Sequence, residues 1–198
     1  MSKGDETRRA ILADALAQAS ALGLTGLTIG SLAKRTGLSK SGLFAHFTSK
    51  EALQIAVLDD ARDRFVTTVV SPALKEPRGE PRVRALFERW MRWEKAEFQP
   101  GGCVFLASAT ELDDQPGPVR DRLVEIQRDW SDALQTAARI AKEERHFRAD
   151  LDVRQWAFDL WGLMLAYHWY ARLLRAEDAA ERVRGGFEHL LATSRAPE

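Results

Sequence analysis

Apolar residues recur every three or four positions in run after run of this chain, from Ile11 to Leu191, and nowhere alternate with polar ones between turn signals. A period near 3.6 belongs to an amphipathic helix and a period of two to a half-buried strand. The pattern predicts an all-α fold of about nine helices. The single cysteine, Cys103, excludes an intrachain disulfide or a zinc cluster. The longest charge-free apolar run, Leu160 to Ala171, falls short of the ~20 residues that span a bilayer. The N-terminus carries charges on both sides of a short amphipathic run, unlike a signal peptide. A cytoplasmic protein is expected, with no membrane partner, metal or cofactor.

Proline and tryptophan divide the chain. No proline precedes Pro72, and all six tryptophans lie at or after Trp90. Three prolines and a glycine make 71–81 read as a loop. The boundary is expected within the helix before it, with residues 1–55 as one domain and 56–198 as the other. Net charge divides the same way. The zero total hides seven bases against three acids in the first fifty residues, a surplus of +4, and a balancing −4 in the rest. A protein that coats nucleic acid through bulk charge would carry an excess over the whole chain. A small DNA-contacting head on an acidic body fits.

Local signals describe that head. A first helix over about 5–22 places Ile11, Leu12, Ala15, Leu16, Ala19 and Leu22 on one stripe, with Gly23 as a left-handed cap. Thr28 then reads as an N-cap, with Leu27 and Leu32 as a hydrophobic staple. That short helix stops at Gly37. Ser39 repeats the device with Leu38 and Leu43, and a third helix runs to Phe47. Two short capped helices separated by three residues form a helix-turn-helix. A fourth helix follows Ser49 and continues to about Val70.

From Thr28 to Leu53, TIGSLAKRTGLSKSGLFAHFTSKEAL, the sequence resembles the DNA-binding head of the TetR family of bacterial transcriptional regulators. The resemblance covers roughly residues 7–55 and implies a homodimer whose C-terminal helical domain dimerises and often binds a small ligand. It further implies that ligand shifts the fourth helix and so alters the separation of the two recognition helices. On independent physical grounds, helix N-termini attract phosphate because their amides are unpaired and the helix dipole is positive there. Thr28, Ser39 and Ser49 mark three such termini, with Lys40 and Lys50 beside two of them and Lys34 and Arg35 in support. The recognition helix presents Lys40, Ser41, Gly42, Phe44 and His46. Ser41 is placed to reach a base edge and Gly42 to let the backbone approach thymine methyls. Phe44 stands where the family usually has a phosphate-contacting tyrosine, so the ring is kept and the hydroxyl lost.

The remaining helices form the body. Helix eight, DVRQWAFDLWGLMLAYHWYARLL, is apolar on nearly every side between Leu160 and Ala171, and with helix nine is expected to make the homodimer interface. Gly162 with Ala166, or Gly185 with Gly186, would permit close approach. Phe87, Trp90, Met91, Phe105, Trp130, Trp161, Met164 and His168 are candidates to line a site for a flat or flexible apolar ligand. Cys103, after two glycines at a helix start, is an alternative redox site. The four histidines stand in no metal-ligand or nucleophile motif, so no enzyme is expected. The reading is a transcriptional repressor released from a palindromic operator on double-stranded DNA by a small apolar or aromatic effector.

Overall fold

A computed structural model describes residues 3–197. Helices α1 (Lys3–Leu22), α2 (Ile29–Thr36), α3 (Lys40–His46) and α4 (Lys50–Phe65) are followed by a π-helical turn at Val66–Val70 and one α-turn at Ser71–Ala73. Then come α5 (Glu80–Trp93), α6 (Val104–Leu112), α7 (Pro118–Glu143), α8 (Val153–His168), a second π-helical turn at Trp169–Leu173, and α9 (Ala179–Ser194). The fold is all-α: the described residues hold no strand, only a single antiparallel bridge between Phe147 and Arg195. None of their helices is long and apolar enough to cross a membrane.

Two departures from the sequence pattern have local causes. The expected loop at 71–81 begins with a helical turn, because the π-turn before it accommodates Pro72. A proline lacks an amide hydrogen, and in a regular helix its ring would clash with the carbonyl four residues back, a position that here falls at Thr68 inside the widened turn. Helix α5 stops at Trp93, short of Phe98. The next residue, Glu94, is buried, and its carboxylate accepts the Cys103 amide at the start of α6 at 2.9 Å. Cys103 itself supplies no side-chain cap.

The chain forms two compact units. The first comprises the chain to Phe65 and Glu94–Ile126, the second Val66–Trp93 and Gln127–Glu198. In the first, α1 packs against α2, α4 and α6, burying Ile11, Ala15, Leu16 and Ala19 completely. Gly101 lies against α1, where an added Cβ would fall 1.8 Å from the Ser20 carbonyl oxygen. In the second, α8 packs on α9, and Phe87 stacks on Phe187 with ring centroids 4.0 Å apart. Asp152 caps α8 by accepting the Arg154 and Gln155 amides. Those amides, Gln155's foremost, hold its carboxyl below the usual carboxylate range.

Candidate nucleic-acid interface

Each of the three expected helix starts carries its cap. The Thr28 hydroxyl accepts the Ser31 amide at 3.1 Å, Ser39 accepts that of Gly42 at 3.0 Å, and Ser49 that of Ala52 at 2.9 Å. Gly37 closes α2 in the left-handed region at φ 69°, which a side chain would strain, and Leu38 donates its amide back to Ala33. Leu27, Leu32 and Leu43 are fully buried beneath the turn. These contacts fix the angle between α2 and α3 and leave Lys40, Ser41 and Phe44 exposed.

The cationic side chains differ in how they are held. Arg35 is committed to Asp14 of α1, donating through Nε at 2.8 Å and Nη2 at 2.6 Å. Hydrogen bonding to that carboxylate raises the guanidinium above its ordinary range. Asp14 also accepts from Gln18 at 2.9 Å, and Gln18 in turn accepts from Ser31 at 3.0 Å. A chain of polar contacts thus runs along α2 from its basic end back to its cap, bracing it on α1. Lys50 donates to the Thr25 carbonyl at 2.8 Å, so it secures the turn before α2. Among the described residues, Lys34 and Lys40 have no carboxylate partner. A Cβ built on Gly30 would lie 3.9 Å from the Cε of Lys40, so the Lys40 stem runs beside the first turn of α2.

Helix α3 buries Leu43 alone among its seven residues. Ser41 lies 2.9 Å from the Ser39 hydroxyl and shares the cap. At Gly42 an added Cβ would lie 3.3 Å from the same oxygen, close enough to crowd the cap. Phe44 is 47% exposed, an unusual setting for a phenylalanine with nothing to cover it. His46 is half-buried, its ring 6.5 Å from that of Phe47.

Sequence reasoning missed Asp14, Gln18 and Glu111. Asp14 carried a faint signal as an acid within a basic head, whereas Glu111, which accepts from Thr25, is 86 residues distant and carried none.

The eight candidate effector residues are dispersed in packing pairs. Trp90 meets Tyr167 edge-on at 6.0 Å and Trp130 lies 6.4 Å from Trp161. Met91 and Met164 are buried and His168 is half-buried. Phe105 belongs to the first unit, against Phe65 at 6.1 Å. Two cavities of the second unit are lined by other residues. One, of about 190 Å³, includes Leu163, Tyr167, Arg182 and Val183. The other, of about 360 Å³, includes Glu80, Arg84, His146 and Arg195. Cys103 is buried, and its amide donates to the Glu94 carboxylate.

Residues 11–57 match the family model of bacterial regulatory proteins of the tetR family, and residues 79–187 that of the tetracyclin repressor-like C-terminal domain. The chain belongs to the TetR family. It is a transcriptional regulator with a DNA-binding helix-turn-helix head. Among solved structures, this TetR-family chain is similar to a TetR transcriptional regulator from Chloroflexus aurantiacus J-10-FL, at 26% identity over 97% of this chain and 96% of that one, with a TM-score of 0.77. A TetR-family regulator from Cytophaga hutchinsonii is 23% identical over 100% and 99%, with a TM-score of 0.86. AibR, solved in complex with isovaleryl coenzyme A and operator DNA, is 21% identical over 95% and 99%, with a TM-score of 0.74. No match is found among curated proteins.

Proposed function

We propose that this TetR-family regulator is a repressor that binds a palindromic operator as a homodimer and leaves it when a small apolar or aromatic effector binds the C-terminal domain. The observation that carries the reading is the grouping of three capped helix starts, at Thr28, Ser39 and Ser49, with the unpaired cations of Lys34 and Lys40. Each start directs amides and positive dipole toward a bound anion. Ser41, Gly42, Phe44 and His46 of α3 then face the major groove, Lys50 reinforces the third start, and Arg35 acts through its brace on α1. The 1–55 segment is the reading domain and 56–198 the dimerisation and effector domain.

Dimerisation through α8 and α9 is supported by an uncovered apolar stripe. Phe158 is 71% exposed, and Gly162, Leu165, Ala166, Trp169 and Leu173 continue along the same face. An added Cβ would meet nothing within 4 Å at Gly162 or Gly185, which leaves room for a facing helix. Gly186 serves this chain itself, since a Cβ there would lie 2.7 Å from Leu163. Two helices from each subunit make a four-helix bundle.

The effector reading rests on the aromatic and methionine content around Phe87, Trp90, Met91, Trp130, Trp161, Met164 and His168, whose surfaces suit an apolar guest once the packing opens. Chain continuity supports a route to the head, because α4 runs directly into the π-turn of the second unit. Couplings of this kind are typically ~1–3 kcal/mol, a roughly 5- to 150-fold change in DNA affinity.

Selection of bound duplexes from a random pool, repeated with candidate apolar ligands, tests the proposal. The expected result is a palindrome with half-site centres ~34–36 Å or a multiple apart, lost from the bound pool when effector is present. A pool without palindromic preference overturns it.

A further inference from the structure

We infer that Arg8, in the second turn of α1, is a DNA phosphate contact held ready by the ring of Phe47. This rests on the DNA-binding reading above and extends it to a part of the chain outside the helix-turn-helix. The Arg8 guanidinium carbon lies 5.0 Å from the centroid of the Phe47 ring. Phe47 is buried at 3% exposure and closes the recognition helix, its amide donating to Leu43 at 3.0 Å. Two residues further on stands Ser49, the cap of α4, followed by Lys50. A cation from α1 is therefore anchored at the junction of α3 and α4, beside a helix start that already favours an anion.

The manner of holding matters. A ring attracts a guanidinium through its quadrupole, but it accepts none of the five N–H donors in the way a carboxylate does. Arg35 shows the contrast, with Nε and Nη2 turned to the Asp14 carboxylate and its charge compensated. Arg8 is exposed, and among the described residues the Phe47 ring is its partner, with no carboxylate in ion-pair range. It keeps full charge, free donors and a restricted position, so little freedom is lost when a phosphate arrives.

A phosphate contact weakens binding equally on all sequences when removed, and it lowers the salt dependence by ~0.9 per contact, or ~1.8 for two subunits. The test measures affinities of the wild type, Arg8→Gln and Arg8→Lys for a duplex selected from the random pool and for an unrelated duplex of equal length. Potassium chloride is varied from ~50 to ~200 mM, a range in which such contacts act strongly. Circular dichroism and sedimentation confirm fold and assembly of each variant. The expected result is a roughly tenfold loss for Arg8→Gln on both duplexes with a slope flatter by ~1.8, and a near-normal slope for Arg8→Lys. Unchanged affinity and slope overturn the inference. So does a loss with unchanged slope, which marks a packing role, or a loss confined to the selected duplex, which marks a base contact. If the wild type prefers no palindrome, the parent reading fails, while the unrelated duplex still decides the role of Arg8.

Discussion

Glu111 of α6 grips the turn before α2 through Thr25, accepting its backbone amide at 3.2 Å and its hydroxyl at 3.0 Å. Gly23 makes this possible. It sits at φ +75°, and a Cβ there would fall 1.7 Å from the Glu111 carboxylate. Gly23→Ala therefore incurs left-handed strain of ~1–2 kcal/mol and expels Glu111 from Thr25, whose hydrogen bonds contribute ~1 kcal/mol. Glu111→Ala removes only the second part. In urea unfolding the double variant is expected to lose ~1 kcal/mol less than the sum of the two singles. Strict additivity would show that the glycine and the carboxylate act independently.

How much of this was legible depended on distance along the chain. The caps at Thr28, Ser39 and Ser49 and the left-handed Gly37 were readable because each acts on amides within about four residues. The grip of Glu111 on Thr25, the brace of Arg35 on Asp14 and the use of Glu94 to start α6 join residues that only the fold brings together. Helical periodicity placed Phe87, Trp90 and Trp130 on apolar helix faces, but such a face has no partner written into it. Phe87 meets Phe187, a hundred residues later. The π-turn before Pro72 was hidden because proline reads as a breaker, whereas a widened turn can absorb it.

Phe44→Tyr is expected to tighten DNA binding. The ring is 47% exposed on α3, so an added hydroxyl meets solvent in the free protein and a phosphate oxygen in the complex. One hydrogen bond to a charged acceptor contributes ~1.5 kcal/mol at the low end of its range, a gain of roughly tenfold in affinity for each half-site. Fluorescence anisotropy with selected and unrelated duplexes should show the same gain on both. Unaltered affinity would place this face of α3 away from the DNA backbone.

Leu165→Glu places a charge in the middle of the uncovered stripe between Phe158 and Leu173. In an isolated subunit the side chain is exposed, so folding is expected to be unaffected. Within a bundle of facing helices an unpaired carboxylate is costly, and the dimer should dissociate at micromolar concentration in sedimentation experiments. Loss of the second half-site then lowers operator affinity by roughly a hundredfold or more. A fully dimeric Leu165→Glu protein would move the interface to another face.

Glu80 gives the second unit a defined response to acid. Its carboxylate accepts from Arg195 at 2.8 and 2.9 Å and from Arg84 at 2.8 Å, while its amide donates to the Nδ1 of His146 at 3.0 Å. The Arg195 guanidinium above all holds the carboxyl down at about 2. A carboxyl lowered on folding contributes stability above its ordinary value near 4.5 and loses it as pH falls from there toward 2. Partial exposure limits the contribution to ~2 kcal/mol or less. Thermal unfolding of wild type and Glu80→Gln should therefore differ most at neutral pH, and the gap should close between pH 4.5 and pH 2. Arg84 remains paired with Glu188 in the variant, so the tie between α5 and α9 is weakened without being cut. A gap that widens on acidification would mean that the ion pairs around Glu80 do not stabilise the fold.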